Sequence, residues 1–256
     1  MLRTENGLKY CMAGDGPEAV ICHPSLGLGR FLFYRLIPPL SRHYTVISYD
    51  PRGVGENQAL EPNLEDWVKD VGDLMALAQK PCHLVGVSLG TWVMARAAVR
   101  WPDAVRRLVL IGATPGFADG KALVESRRQQ LAQTSMAEFA RQYASQTLTA
   151  FAEEEVKEQL TADLQTQSAE AYLKAMAEIY FVDNVSTYAA VQTPTLVLVG
   201  SQDERTPPDR ADAVAELLGH GSVRVVANAG HLALLDQPRR VAELIEEFLA
   251  SGVVDD

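Results

Sequence analysis

The sequence predicts an α/β protein with a mostly parallel sheet, and three features of the chain support this prediction. Short runs rich in β-branched residues alternate with helical patterns over most of the 256 residues, as in sheets whose strands are joined by helices. Most of these runs are continuously apolar, which is typical of strands that are covered on both faces. A single long segment without strand character interrupts the alternation. We therefore expect one α/β core that carries a helical insertion.

Seven segments are predicted to be strands, in this order along the chain: 8–12, 19–23, 44–49, 83–87, 105–111, 195–199 and 223–227. The helices predicted between them span 64–79, 89–101, 207–218 and 241–250. Asn63 is the expected N-cap of the first of these helices, because its side chain can accept a hydrogen bond from a free backbone N–H. For the helix at 207–218, we expect Thr206 as the N-cap and Pro207 as the first helical residue.

The interrupting segment runs from residue 115 to residue 188 and shows only amphipathic helical sequence. Four helices fit around 121–132, 136–148, 153–166 and 169–181. The second of them begins with Ser135 and Glu138 in the spacing of a capping box. Because this segment has no sheet partner, we expect residues 1–114 and 189–256 to form the core and residues 115–188 to form a helical cap over it.

The charge balance excludes several classes of protein. Lys and Arg number 23 and Asp and Glu number 33, so the formal net charge is 23 − 33 = −10. A nucleic-acid-binding protein would usually carry a basic patch, and an anionic membrane surface attracts basic segments. No stretch approaches the about 18 consecutive apolar residues of a membrane span. We therefore expect neither nucleic acid nor a membrane as a partner.

The three cysteines, Cys11, Cys22 and Cys82, all fall in strand-like contexts. An odd number without a Cys-x-x-Cys pair is typical of free thiols in a reducing compartment, and the first residues lack the apolar stretch of a secretory signal. We therefore expect buried thiols and a cytoplasmic protein. The sequence contains no dinucleotide-binding glycine loop and no zinc-ligand spacing, so we expect no cofactor and no metal. The oligomeric state stays open between monomer and homodimer.

The most informative motif is Gly86-Val87-Ser88-Leu89-Gly90, which follows a predicted strand and begins a predicted helix. In this context the G-x-S-x-G pattern indicates a nucleophilic serine on a sharp strand-to-helix turn. The flanking glycines leave room for that turn, since a side chain at either position would collide with neighbouring backbone. Ser88 is therefore the candidate nucleophile, and the Leu89 N–H at the start of the helix is a candidate oxyanion donor.

A serine nucleophile needs a base, and the base needs an orienting acid. Asp203 follows the predicted strand at 195–199, and His231 follows the last predicted strand. Taken alone, Asp203 is also consistent with a turn cap, and a single histidine is more often structural than catalytic. The order Ser88, Asp203, His231, with each residue after a strand, favours a catalytic triad.

On these residues the chain resembles the α/β-hydrolases over its whole length. The motifs that carry the resemblance are the block at 23–27, the Asp50-Pro51-Arg52-Gly53-Val54-Gly55 block, the serine turn, and the Asp203 and His231 segments. Within that family the chain is similar to the 3-oxoadipate enol-lactonases and the capped carboxylesterases. The resemblance implies an eight-stranded type of sheet with helices on both faces and an inserted helical cap. Asp50 and Arg52 belong to a block that shapes a turn, so we interpret them as structural.

One departure from the family pattern concerns the second oxyanion donor. The family usually has His-Gly before its oxyanion loop, whereas this chain has His23-Pro24. Proline has no N–H to donate, so the second donor is expected to be the amide of Ser25 or Leu26.

The implied reaction is hydrolysis of a small carboxylic ester or lactone through an acyl-enzyme. Three alternatives use the same fold: a carbon–carbon bond hydrolase, a haloperoxidase-like enzyme, and a non-catalytic ligand-binding protein. Substrate selection is expected from aromatic residues after the serine turn and in the cap, although aromatic residues at helical spacing are more often core. The candidates are Phe33, Trp92, Phe117, Phe139, Tyr143, Phe151, Tyr180 and Phe181. An anionic substrate would need a cation, for which Arg30, Arg127, Arg128 and Arg141 are the candidates.

Overall fold

The computed structural model describes residues 1–251 and contains one sheet of eight strands. The strands are β1 (Leu2–Arg3), β2 (Lys9–Ala13), β3 (Ala19–His23), β4 (Thr45–Tyr49), β5 (Cys82–Val87), β6 (Val105–Ile111), β7 (Thr195–Gly200) and β8 (Ser222–Val226). Their order in the sheet is β1-β2-β4-β3-β5-β6-β7-β8. The β1–β2 and β2–β4 pairs are antiparallel, and every other pair is parallel. The predicted mostly parallel sheet is confirmed.

The central strands are continuously apolar because both of their faces are covered. Every residue of β3, β4, β5 and β7 is buried. At one edge of the sheet, β1 is exposed at both of its residues. Strand β1 was not among the predicted strands, because two exposed residues give no periodic signal. Antiparallel pairing with Lys9 and Tyr10 holds these two residues in place.

The helices that join and flank the strands are α1 (Ile37–Leu40), α2 (Leu64–Ala78), α3 (Leu89–Arg100), α4 (Gly120–Gln133), α5 (Met136–Thr147), α6 (Glu154–Leu164), α7 (Ala169–Tyr180), α8 (Val185–Ala190), α9 (Pro208–Leu218), α10 (Ala233–Asp236) and α11 (Pro238–Ala250). Helices α2 and α3 pack on each other and on β3, and α3 also lies against β5 and β6. Helix α9 packs on β7 and β8, and α1 packs against both α11 and β4. Among residues 1–251, no helix is long and apolar enough to cross a membrane.

The segment between β6 and β7 contains five helices rather than the four expected. The additional helix is α8, a short element that runs past residue 188 and buries Tyr188. Six residues are too few to show a helical period, so its position depends on packing against α3 and α9. Helices α4 to α8 are called the helical insertion below. Its role as a separate cap domain over the core stays a prediction.

Side-chain caps show where the local sequence decides a helix start. The Asn63 side chain accepts a hydrogen bond from the Asp66 N–H at 3.2 Å, and Ser135 and Glu138 form the expected capping box. The expected N-cap of α9 is wrong, because Pro207 occupies the N-cap position. Thr206 bonds instead to the side chain of Asp203.

The cysteines differ in their environment. Cys22 and Cys82 are buried, and burial raises the pKa of the Cys22 thiol to about 12 and that of Cys82 to about 11. Cys11 is only partly buried, so the expectation of burial is wrong for this residue. It lies on β2, where only Tyr10 is buried because this strand is near the edge of the sheet.

Candidate active site

Ser88 lies between the end of β5 and the start of α3 in a backbone conformation that residues other than glycine rarely adopt. Its φ is 52° and its ψ is −113°, and such strain persists only where the surrounding structure holds it. The Ser88 N–H donates to the Ile111 carbonyl at 2.8 Å, and the Ser88 carbonyl accepts from the Thr91 N–H at 2.9 Å. The peptide groups on both sides of the serine are thus held while its hydroxyl stays at the end of the strand.

The two glycines that flank Ser88 are required by close backbone contacts. A Cβ atom on Gly86 would lie 2.4 Å from the Gly90 carbonyl oxygen. A Cβ atom on Gly90 would lie 2.3 Å from the carbonyl oxygen of His23. The serine turn therefore packs directly against the loop that follows β3.

His231 connects Ser88 to Asp203. Its Nε2 lies 2.9 Å from Ser88 Oγ, and its Nδ1 lies 2.9 Å from Asp203 Oδ2. Asp203 and His231 are only 2% and 4% exposed, so bulk water does not compete for these hydrogen bonds. Gly112 lies beside the imidazole, where an added Cβ would come within 3.2 Å of His231 Cε1.

Asp203 is held as a carboxylate by several donors. Burial raises its pKa, but the hydrogen bond with His231 and those from Thr206 outweigh burial and hold the pKa of Asp203 below its ordinary value. The Arg205 and Thr206 N–H groups each donate to Asp203 Oδ1 at 2.9 Å. The Thr206 hydroxyl donates to Oδ2 at 2.8 Å. An ionised Asp203 can orient the imidazole and stabilise its protonated form.

Thr206 is a member of this network that the sequence analysis assigned only to a helix cap. Its Oγ1 also lies 3.2 Å from His231 Nδ1. The signal that could have identified it is the Asp-x-x-Thr spacing directly after β7, since short polar side chains commonly bond to backbone and side chains a few residues away.

The candidate oxyanion donors lie on two segments, the start of α3 and the loop that follows β3. The Leu89 N–H is in the first turn of α3, where backbone N–H groups have no acceptor within the helix. Leu26 lines the cavity in front of Ser88. Leu26 belongs to a turn in the loop that follows β3. In this turn the Leu28 N–H donates to the Ser25 carbonyl at 3.1 Å, and Gly27 has a φ of +73°. Ser25 is 2% exposed and outside the cavity wall; its amide stays a candidate donor.

His23 fixes the start of this oxyanion loop. Its Nδ1 lies 2.6 Å from the Tyr49 hydroxyl, and burial lowers the pKa of His23 to about 3. A neutral, fully buried imidazole is thus part of the support for the loop.

A small cavity of about 40 Å³ lies in front of Ser88 and His231. It is lined by Leu26, Ser88, Leu89, Trp92, Gly112, Thr114, Phe117, Ile179, Tyr180, Arg205, Thr206 and His231. Trp92, Phe117 and Tyr180 are three of the predicted substrate-pocket residues. Their rings pack together, with the Phe117 and Tyr180 centroids 4.8 Å apart, and they form an apolar side of the cavity.

The other predicted pocket aromatics do not line this cavity. Phe33 is 0% exposed within the core, and Phe139 packs edge-on against Tyr172 with the ring centroids 5.2 Å apart. Tyr143 lies behind the wall, where the Arg205 guanidinium covers its ring. Phe151 and Phe181 are instead exposed.

The cation candidates also lie elsewhere. Arg30 contacts Cys11 near the sheet edge, and Arg128 pairs with Glu125 on the exposed face of α4. Arg141 lines a separate surface groove, and Arg127 lies over the ring of Phe139. The arginine in the cavity wall is Arg205, which was not among the predicted site residues because it lies between Asp203 and the expected helix cap Thr206 and belongs to no motif.

Asp50 and Arg52 lie outside the cavity wall. The Asp50 carboxylate accepts from the Arg30 and Glu56 N–H groups at 2.7 and 3.0 Å. Arg52 forms a two-pronged bond to Asp70. Within residues 1–251 there is no cluster of three or more His, Cys, Asp or Glu side chains that could hold a metal ion.

Comparison with known proteins gives consistent results. Residues 18–238 match the family model described as alpha/beta hydrolase fold. The pyrrolizixenacetamide deacetylase of Xenorhabdus hominickii is 28% identical over 258 residues, which cover 95% of both chains. The 3-oxoadipate enol-lactonase 2 of Acinetobacter baylyi is 25% identical over 94% of this chain and 92% of that protein. The enol-lactonase structure from Burkholderia xenovorans LB400 has a TM-score of 0.87 and 21% identity, covering 97% of this chain and 98% of that one.

Proposed function

This chain belongs to the α/β-hydrolase fold family, as its sequence motifs indicated, and we propose that it is a serine hydrolase of small carboxylic esters or lactones. It is an enzyme of a family whose relatives are named as hydrolases, esterases and enol-lactonases. The observation that carries the proposal is the continuous chain of two 2.9 Å contacts from Ser88 Oγ through His231 to Asp203.

The first half of the proposed reaction forms an acyl-enzyme. Ser88 Oγ attacks the substrate carbonyl carbon while His231 Nε2 takes the serine proton. The negative charge on the carbonyl oxygen is stabilised by the Leu89 N–H and by the amide of Ser25 or Leu26, each worth roughly 10²–10³ in rate. The tetrahedral intermediate then collapses, the bond to the leaving oxygen breaks, and the His231 proton passes to that oxygen.

The second half releases the acid. His231 takes a proton from water, the resulting hydroxide equivalent attacks the acyl carbon, and the bond to Ser88 Oγ breaks. The proton held by His231 returns to the serine oxygen. For a lactone, both product groups remain in one molecule, so a single hydroxy or oxo acid leaves the site.

The position of the helical insertion supports a role in substrate selection. Ile179 and Tyr180 of α7 contribute to the same cavity wall as Ser88 and His231. A substrate at the serine would therefore touch both the core and the insertion, and the small cavity favours a small acyl group.

Active-site labelling tests the proposal directly. A fluorophosphonate probe should label the wild-type protein at Ser88 and should not label Ser88→Ala. Hydrolysis of p-nitrophenyl esters should fall by about 10⁴-fold or more in Ser88→Ala and in His231→Ala. Labelling that survives Ser88→Ala would refute the nucleophile assignment, and a folded wild-type protein that is neither labelled nor active would favour the ligand-binding alternative.

A further inference from the structure

The cavity wall is electrostatically one-sided. Of the described residues that line it, Arg205 alone carries a permanent charge, and none is acidic. Asp203 lies behind the wall and is already bonded to His231 and Thr206. A molecule in the cavity therefore meets one guanidinium and no carboxylate.

Arg205 is positioned by its backbone, but its side chain has no anionic partner within residues 1–251. Its N–H donates to Asp203 Oδ1, so the residue is tied to the catalytic loop. Its guanidinium carbon lies 4.7 Å from the centre of the Tyr143 ring. Its Nε is buried and has no hydrogen-bond acceptor within residues 1–251. A buried donor of a charged group without an acceptor is costly, which points to an acceptor that a ligand brings.

A second arginine adds positive charge behind the same wall. The Arg127 guanidinium carbon lies 4.7 Å from the centre of the Phe139 ring. Its Nε is likewise buried without an acceptor among the described residues, whereas its Nη1 donates to Gln130 Oε1. Phe139 in turn packs on Tyr143, with the ring centroids 6.2 Å apart. Burial raises the pKa of Tyr180, and the charges of Arg205 and Arg127 oppose that rise. Both positive charges therefore act on the pKa of Tyr180, a residue of the cavity wall.

Several other arginines are paired with a carboxylate. Arg52 is bonded to Asp70, and Arg128 lies 3.6 Å from Glu125. Within residues 1–251, neither Arg205 nor Arg127 takes part in an ion pair. In a chain with a net charge of −10, two partly buried arginines that form no ion pair among the described residues thus lie near one cavity.

We propose that Arg205 binds a carboxylate of the substrate, so that the substrate is an ester or lactone that carries a free carboxylate in addition to the bond that is cleaved. This inference rests on the proposed serine hydrolase reaction. A guanidinium presents donors in a planar fork that matches the two oxygens of a carboxylate. Binding at Arg205 would hold the anionic end of the substrate on the Asp203 loop while the reacting carbonyl faces Ser88.

Paired substrates of equal size test this specificity. Mono-p-nitrophenyl glutarate carries a carboxylate at the end of its acyl chain, and p-nitrophenyl valerate has the same chain length without it. A second pair, meta-acetoxybenzoate and its methyl ester, places the carboxylate on the leaving group instead. We expect the wild-type enzyme to prefer the carboxylated member of at least one pair in kcat/KM, and the pair that shows the preference identifies which side of the substrate Arg205 holds.

The variant Arg205→Gln should remove this preference. We expect kcat/KM for the preferred carboxylated ester to fall by about 100-fold, the size of a lost hydrogen bond to a charged group, and the neutral partner to lose much less. Arg205→Lys keeps the charge without the fork and should recover part of the loss. Arg128→Gln removes an exposed, paired arginine from the same helix as Arg127 and serves as the matched control, with no change expected.

A binding measurement separates this inference from the proposed reaction. Glutarate should raise the Tm of the wild-type protein and of Arg128→Gln but not that of Arg205→Gln. If Ser88 is labelled and neutral esters are cleaved, yet neither pair shows a carboxylate preference or Arg205→Gln lowers both members equally, the carboxylate site is refuted and the serine hydrolase stands. If glutarate binds through Arg205 while Ser88 is neither labelled nor active, the carboxylate site stands and the proposed reaction falls.

Discussion

His231 Nε2 lies 2.9 Å from Ser88 Oγ although the two residues are 143 positions apart in the chain. The parallel sheet brings them together, because β5 and β8 both end at the edge where Ser88 and His231 emerge. Asp203 follows β7, the strand that pairs with β8. The candidate triad is therefore built on the ends of three strands, as is usual for sites in open α/β sheets.

The strained backbone at Ser88 is expected to lower the stability of the protein, at the position that its activity requires. Glycine adopts a φ of 52° without the penalty that a Cβ incurs. We expect Ser88→Gly to be more stable than Ser88→Ala by about 1 kcal/mol in the free energy of unfolding, while both variants are inactive. Chemical denaturation of the two proteins measures the difference. Equal or reversed stabilities would show that the serine turn is not strained in solution.

The Thr206 hydroxyl predicts a shift in pH dependence. Its donation to Asp203 helps to hold the pKa of that carboxyl below its ordinary value, so Thr206→Val should raise the pKa of Asp203. Less of the carboxylate is then ionised at a given acidic pH, and the titration profile of the Asp203 carboxyl, followed by carbon-13 NMR, should move to higher pH. The rate at neutral pH should fall by about 10-fold. Thr206→Ser keeps the hydroxyl and should restore both; an unchanged profile in Thr206→Val would rule out this positioning role.

Gly112 predicts a steric effect on the imidazole. It has a φ of +65°, and an added Cβ would lie 3.2 Å from His231 Cε1. Gly112→Ala should therefore lower the free energy of unfolding by about 1 kcal/mol and displace His231 enough to reduce kcat by about 10-fold or more. Activity assays together with thermal denaturation check this. Gly219→Ala also replaces a glycine of positive φ, but its added Cβ meets nothing, so it should cost stability without affecting kcat.

Asp163 predicts a pH dependence of stability. Burial, together with the negative charge of Asp50, raises the pKa of Asp163 from 3.8 to about 6, against the hydrogen bond from the Gly29 N–H and the charge of Arg30. Between these two values the folded protein holds a proton that the unfolded chain has released, so this residue's contribution to stability is fully present below pH 3.8 and is lost as the pH rises through about 6.

The variant Asp163→Asn should remove this pH dependence. Asparagine can still accept from the Gly29 N–H, and it carries no charge near Asp50. We expect Asp163→Asn to be more stable than wild type by about 3 kcal/mol at pH 7 and to lose this advantage at pH 4. Urea unfolding at the two pH values tests this, and a variant that is less stable than wild type at pH 7 would contradict it.

Local patterns predicted the parts of the protein that neighbouring residues specify. The continuously apolar runs located the central strands, because a strand buried on both faces has no polar alternation. The caps at Asn63 and Ser135 followed from side chains that bond to their own backbone. The serine turn followed from two glycines at fixed spacing. Each of these signals is contained within a few residues.

The features that the sequence did not predict correctly have a common physical cause, since each depends on contacts between segments that are distant in the chain. Thr206 has the composition of a helix cap, yet its hydroxyl finds Asp203 because the loop after β7 folds back toward His231. Strand β1 has no apolar pattern and exists through pairing with β2. Phe139 and Tyr180 occupy similar helical patterns, but only Tyr180 lines the cavity.

The sequence alone thus determined the fold class and the order Ser88, Asp203, His231, since apolar runs and glycine spacing are local and do not depend on the rest of the chain. The tertiary structure decided which side chains face the cavity. Arg205 shows why. Its neighbours in sequence indicate a turn, and only the packing of α5 against the Asp203 loop places its guanidinium, which has no ion-pair partner among the described residues, next to the cavity. The direction of a side chain on a helix or loop depends on what covers it, and that is set by residues far away in the chain.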